Sequence, residues 1–332
     1  MLEEILITPH ANHYVTPEMH IWDWRVAFYL FAGGLTAGIL VFASSVILMK
    51  RENEFRFASQ LLPIAAPVIL ALGLTTLFLD LSHKLYVWNF YLAFVPTSPM
   101  SWGTWCLLLV FPLAILLPLA TLRQGYPWAS AYIDRYEWGA TALDWISDNR
   151  RMIAGASLIL GAFLGLYTGV LLSAFGARPF WNSGVLAPLF LASGLSGAAA
   201  LVALFAKSEH ERHVFTQVDV GLLIVEAALI VLLVVNLVTA SAAHIEASGL
   251  ILGGEFTVPF WLIFFLPGVV IPIAIELAEL FGKRRAWMAI APVLVLFGGY
   301  MLRSLMTELG QASSFHSYES AFDPALLDLL IR

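Results

Sequence analysis

Residues 21–48 read IWDWRVAFYLFAGGLTAGILVFASSVIL, and beyond Arg25 no charged side chain occurs until Lys50. A helix rises 1.5 Å per residue, so roughly 20 apolar residues cross the hydrocarbon of a bilayer. This stretch is longer than that. It lacks the polar/apolar alternation of a membrane β-strand. In lipid every backbone N–H and C=O must be paired internally, which leaves a spanning helix.

Seven more stretches of the same kind follow, at approximately 58–83, 98–122, 152–175, 182–206, 214–242, 257–281 and 286–306. Composition agrees with them. Of 332 residues, 60% are hydrophobic and 12% charged, with a mean hydropathy of +0.84. A soluble domain carries roughly 25% charged residues, so lipid has to cover this protein. The expected fold is all-α: one transmembrane domain over 1–332, a bundle of about eight transmembrane helices, with 1–20 and 307–332 as tails. Trp22, Trp24, Trp88, Trp102, Trp181 and Trp261 cluster near span ends, where aromatic rings meet headgroups. Small residues recur inside the spans, as in Gly33-Gly34-Leu35-Thr36-Ala37-Gly38 and Ser193-Gly194-Leu195-Ser196-Gly197, and let helix backbones approach closely.

Basic residues set the orientation. The loops after spans one, three, five and seven hold Lys50, Arg51, Arg56, Arg123, Arg135, Arg150, Arg151, Lys207, Arg212, Lys283, Arg284 and Arg285. The other side keeps Arg25, Lys84, Arg178, Arg303 and Arg332. The positive-inside rule then makes the first set cytoplasmic and puts both termini on the outer (periplasmic) side. The first twenty residues are acidic and His-rich, without a basic n-region or cleavage site, so no signal peptide is expected. The longest connection, between spans three and four, alternates aromatic and charged residues over Tyr132–Trp138 and reads as a surface helix at the cytoplasmic interface.

Negative evidence narrows the chemistry and leaves a haem anchor and a secondary transporter as the rival readings. The one cysteine, Cys106, permits no internal disulfide and no thiolate-held cluster or zinc site built by this protein alone. A net charge of −6 gives no reason to invoke nucleic acid. A cytochrome b haem anchor needs paired axial ligands, and only His83 and His244 lie in or beside spans. An ion or solute secondary transporter would use the same buried carboxylates, but the two halves show no matching repeat.

Ionisable groups inside a membrane cost roughly 2.5–3.5 kcal/mol each at its centre, so each asks for a reason. Arg25, Asp80, His83, His244, Arg303 and Glu308 fall near the outer helix ends, with Tyr167 in the outer half of span four and Arg178 and Trp181 in the loop after it. Asp80 and His83 are three apart, which puts them on one helix face. Together these predict a polar pocket at the outer edge. A deeper set, Asp219, Glu226, Glu276 and Glu279, forms a candidate proton path, with the last two on one face.

Six motifs in order resemble one family. They are Tyr29–Gly38; Leu79-Asp80-Leu81; Ser98-Pro99-Met100-Ser101-Trp102-Gly103; Tyr167–Leu172 with Arg178-Pro179-Phe180-Trp181; Phe190–Gly197; and Gly298–Arg303 with Gly310-Gln311. The sequence is similar to the polysulfide-reductase membrane subunits (NrfD/PsrC-like) over nearly its whole length. The resemblance implies a subunit without haem, iron–sulfur cluster or metal, in a bacterial or archaeal cytoplasmic membrane. It implies quinone or quinol, menaquinone first, as the bound substrate. Electrons would pass to or from an iron–sulfur (ferredoxin-like) subunit on the outer face, and on to a molybdopterin catalytic subunit or a multihaem cytochrome. Carried over by motif, Asp80 and Tyr167 are the leading quinone-site candidates, with Arg178, Trp181 and Trp102 around the mouth. His83 is added on its chemistry.

Overall fold

The computed structural model describes residues 22–282 and 289–313. Among these, eight helices are long and apolar enough to cross a membrane, and no strand occurs. They are α1 (Trp24–Leu48), α2 (Phe57–Asp80), α3 (Pro99–Ala120), α4 (Arg150–Ser173), α5 (Leu186–Phe205), α6 (Glu209–Thr239), α7 (Pro259–Leu280) and α8 (Ile290–Ala312). The expected tail 1–20, Lys283, Arg284, Arg285 and Arg332 lie outside the described residues.

The helix seen first in the sequence is also the centre of the bundle. α1 packs against α2, α4, α5 and α8, and its glycines explain how. A Cβ on Gly38 would stand 2.7 Å from the Ala198 Cβ, and one on Gly194 would stand 2.5 Å from the Gly34 carbonyl oxygen. The two backbones therefore touch where both helices lack side chains. The same device joins α7 to α8, where a Cβ on Gly268 would come within 2.6 Å of the Gly298 Cα.

Two helices are irregular at prolines. α2 opens with a π-helical turn, Phe57–Leu61, and a 3₁₀ turn, Leu62–Ile64, before its α-helical part, Ala65–Asp80. Pro63 has no N–H to continue an α-helical ladder. The freed donors at this start are met from another helix: Phe57 N and Ala58 N donate to the Glu211 carboxylate on α6, at 3.2 and 2.8 Å. An acidic group at a helix N-terminus is favoured by the helix dipole. α7 is π-helical over Pro259–Val270, around Pro267, and α-helical over Ile271–Leu280.

Two ends of the bundle can be told apart by their bonding. Arg150–Glu52 (3.7 Å), His210–Glu54 (2.8 Å) and Arg56 to the Gln124 carbonyl (3.3 Å) gather the loops that carry most of the described Lys and Arg. We call this the basic face. There the α3–α4 connection is helical over Pro127–Ile133 and Glu137–Asp148, but the stretch Tyr132–Trp138 that read as a surface helix contains the turn between them, Asp134–Tyr136. Arg123 ties it down through ion pairs with Asp134 and Asp144. The opposite end, where α1 begins, is the cavity face.

α8 is longer than its apolar run suggests, and this corrects the expected position of Arg303. The helix continues to Ala312, so Arg303 is not a rim residue: it is 1% exposed, inside the bundle. Its guanidinium donates to the carbonyls of Leu30 (3.2 Å), Gly299 (2.7 Å) and Phe190 (3.0 Å) and to Ser193 Oγ (3.1 Å), joining α8 to α1 and α5. The Phe190 and Phe31 rings lie 5.1 and 6.0 Å from it. Acceptors and ring faces on all sides are what a desolvated guanidinium requires.

Candidate functional site

At the cavity face, α1, α2, α3 and α4 spread to leave a cavity of about 510 Å³. Its wall is mainly apolar: Trp22, Leu30, Leu74, Leu77, Leu107 and Leu171 contribute. Each of the four helices presents a polar group to it: Tyr29 from α1, Asp80 from α2, Thr104 from α3 and Tyr167 from α4. An apolar hollow with a few convergent polar groups is the usual form of a small-molecule site.

Each polar group is placed by a local feature. Tyr167 is 3% exposed, and its ring occupies the space that a side chain at position 103 would fill: a Cβ on Gly103 would overlap the phenol. The ring is further held by Phe163, stacked with centroids 6.5 Å apart. Asp80 is the last residue of α2. Its Oδ1 lies 3.7 Å from Arg25 Nη1, a loose ion pair across the rim between α1 and α2. Arg25 is itself steadied by Asp23, the N-cap of α1.

The structure separates His83 from Asp80. The helix stops at Asp80, and Leu81 turns to extended backbone (ψ 128°), so the two are not on one helix face. His83 instead precedes a 3₁₀ turn, Lys84–Tyr86, and lines a second hollow of about 510 Å³ with Tyr86, Asn89 and Ser101. The two hollows adjoin, with Leu81, Ser82, Phe90 and Met100 lining both.

Three expected mouth residues do not line the main cavity. Trp102 is 41% exposed and donates from Nε1 to the Pro96 carbonyl at 2.6 Å, fastening the loop before α3. Trp181 is fully buried. Its Nε1 donates to the Met306 carbonyl at 2.6 Å, and its ring packs on Trp22 with centroids 5.2 Å apart. It therefore stands one layer behind the cavity, backing the wall. Arg178 donates to the carbonyls of Gln311 (3.0 Å) and Ser313 (2.9 Å) at the end of α8. A cation on terminal helix carbonyls is favourable, while burial draws this guanidinium below its ordinary pKa. Both residues hold the fold together rather than face the hollow, because an indole N–H and a guanidinium away from water must find carbonyl partners.

Tyr29 is missing from the candidates that the sequence suggests, although it opens the first Gly-rich motif. The deeper set lies apart from the cavity: Asp219 and Glu226 on α6, and Glu276 with the half-buried Glu279 on α7. Among the described residues no group of three or more His, Cys, Asp or Glu is arranged to hold a metal ion.

Comparison with known proteins bears on the whole of this architecture. A family model described as polysulphide reductase, NrfD, matches residues 12–313. The protein is 27% identical over 306 residues to the C subunit of the polysulfide reductase of Wolinella succinogenes, covering 88% of this sequence and 94% of the relative. It is 28% identical to the NrfD homologue of Haemophilus influenzae, over 89% of this sequence and 96% of that one. With protein NrfD of Escherichia coli (strain K12) the identity is 29%, over 78% of this sequence and 85% of that one. Eight membrane-crossing helices and a match across nearly their full extent place this protein in the polysulphide reductase NrfD family of multi-pass membrane proteins.

Proposed function

We propose that this protein is the quinone-reactive membrane subunit of a respiratory oxidoreductase complex. Quinol enters the cavity between α1, α2, α3 and α4, and its two electrons leave, one at a time, to an iron–sulfur subunit seated on the cavity face. That face is the outer one by the distribution of basic residues. A molybdopterin or multihaem subunit completes the series of electron carriers. The Wolinella succinogenes relative is named as one lettered component of a reductase, which is consistent with an assembly of several subunits.

The observation that carries this reading is the meeting of Asp80, Tyr167 and Tyr29 in one apolar hollow of about 510 Å³ at the membrane edge. A quinol is an apolar ring and tail with two oxygens that must lose protons as electrons leave. Aliphatic and aromatic walls suit the ring and tail. Tyr167 can donate to one quinone oxygen, and Asp80 can accept the proton that the corresponding quinol hydroxyl releases. Arg25 beside Asp80 offers the carboxylate a counter-charge. The adjoining hollow at His83, Asn89 and Ser101 gives that proton a polar way out. Tyr29 faces the same space and orients the ring.

Quinol oxidation by the purified complex tests this, comparing the native protein with Asp80→Asn and Tyr167→Phe. Loss of a positioned acid or base costs about 10²–10⁴-fold, and a fall of that size with the complex still assembled is expected. Unchanged turnover in both variants would move the reaction away from this cavity. A Soret band in the isolated subunit would argue for a haem anchor instead.

A further inference from the structure

The half of the bundle away from the cavity holds ionisable groups that quinol chemistry at Asp80 and Tyr167 does not use. Asp219 on α6 is 0% exposed and Glu276 on α7 is 1% exposed, and their carboxyls face each other. Ser196 on α5 donates to Asp219 Oδ1 at 2.5 Å. Asp219 Oδ2 and both oxygens of Glu276 are buried with no hydrogen-bond partner among the described residues. A carboxyl pair kept only for packing would be saturated by donors, because each unmet buried oxygen costs about 1–3 kcal/mol. Two facing carboxylates in so apolar a place repel each other and cannot both stay ionised. One proton between them removes the repulsion and supplies a missing donor.

The surroundings give that proton a direction. Toward the basic face, Glu279 lies one helical turn beyond Glu276, is half-buried, and faces Arg212 and His213 in the first turns of α6. Toward the cavity, Glu226 sits two turns from Asp219 on α6, about 10 Å along the axis at 1.5 Å per residue. Glu226 lies beside Ser193 and in the field of Arg303. Arg303 in turn bonds the carbonyl of Leu30, which lines the cavity. Two buried groups, Glu226 and Arg303, thus separate the carboxyl pair from the cavity, whereas a single half-buried carboxylate, Glu279, separates it from the basic face.

We propose that Asp219 and Glu276 together hold one exchangeable proton, and that it is loaded and released from the basic face through Glu279. In the exchange an O–H bond breaks at Glu279 and one forms at Glu276 or Asp219, with no change of oxidation state and no other reactant. The site rests on the functional reading only for what drives it: a change of charge in the cavity reaches it through Leu30, Arg303 and Glu226.

Infrared spectroscopy of the full-length protein in lipid nanodiscs, with no quinone present, tests the site independently of quinone chemistry. The native protein is expected to show a protonated-carboxyl C=O stretch that shifts in D₂O and disappears in Asp219→Asn and in Glu276→Gln. Either substitution can disturb folding, so Glu279→Gln is the second arm. It should keep the band while slowing its deuterium shift about tenfold, the effect of roughly 1.4 kcal/mol on the barrier. No such band in the native protein, a band that survives both pair substitutions, or exchange unaffected by Glu279→Gln would each overturn the proposal. So would loss of the band on adding sodium chloride at constant pH, which would make the pair a cation site.

Discussion

Gly103 on α3 and Tyr167 on α4 occupy a single space: the phenol lies where a Cβ on residue 103 would be. The absence of a side chain on one helix therefore positions the hydroxyl that another helix offers to the cavity. Gly103→Ala should push the ring out of place, at a cost of about 1–3 kcal/mol for overpacking. Quinol oxidation should fall as far as in Tyr167→Phe, although no polar group of the cavity has been altered. Thermal unfolding and turnover of the same preparation check this. Full activity in Gly103→Ala would mean that the position of Tyr167 is unimportant.

Trp181 provides the converse case. It looks like a site residue in the sequence, yet it lies behind Trp22 with its N–H committed to the Met306 carbonyl. Trp181→Phe keeps most of the ring packing and removes that hydrogen bond, so stability should drop by about 1 kcal/mol. Quinol turnover should stay within about twofold of native, a change of some 0.4 kcal/mol on the barrier. A collapse of turnover with unchanged unfolding would show that Trp181 acts on the cavity after all.

These two cases show which parts of the molecule were legible in the sequence. The spans were, because an apolar run of helix length has one meaning in lipid; α1 to α7 start and stop within a few residues of the expected limits. The end of α8 was not, since Glu308 and Gln311 interrupt its hydropathy although the helix continues through them. Asp80 and Tyr167 were legible as costly groups near one membrane edge, and both line the cavity. The direction of a side chain was harder to read. Arg178, Trp181 and Trp102 carry the same signal as a ligand-facing residue, and only the packing reveals that each is bonded to a backbone carbonyl. The break after Asp80 was also hidden, because Leu81-Ser82-His83 has no proline or glycine to announce it.

Arg303 on α8 is a buried cation, and Glu226 on α6 is the counter-charge whose field it feels. Removing one member of such a pair typically costs about 3–5 kcal/mol, because the other charge is left buried alone. Arg303→Gln should therefore give poorly folded protein. Arg303→Gln combined with Glu226→Gln should recover part of the loss, with an interaction energy of roughly 0.5–3 kcal/mol in a double-mutant cycle. Equal, additive losses would show that Arg303 serves only its carbonyl acceptors at Leu30, Phe190 and Gly299.

The orientation of the bundle can be tested with the protein's own chemistry, because Cys106 is the single cysteine and is buried. In a Cys106→Ser background, Lys207→Cys places a thiol in the exposed loop of the basic face between α5 and α6. Leu85→Cys places one on the cavity face, at a position 80% exposed. The positive-inside rule predicts that a membrane-impermeant maleimide added to intact cells labels position 85 and spares 207 until the membrane is opened. That result would put the cavity and its redox partner on the outer side and Glu279 on the cytoplasmic side. The reverse pattern would invert the molecule, so that the carboxyl pair would exchange its proton with the outside and the electron-accepting subunit would have to dock from within the cell.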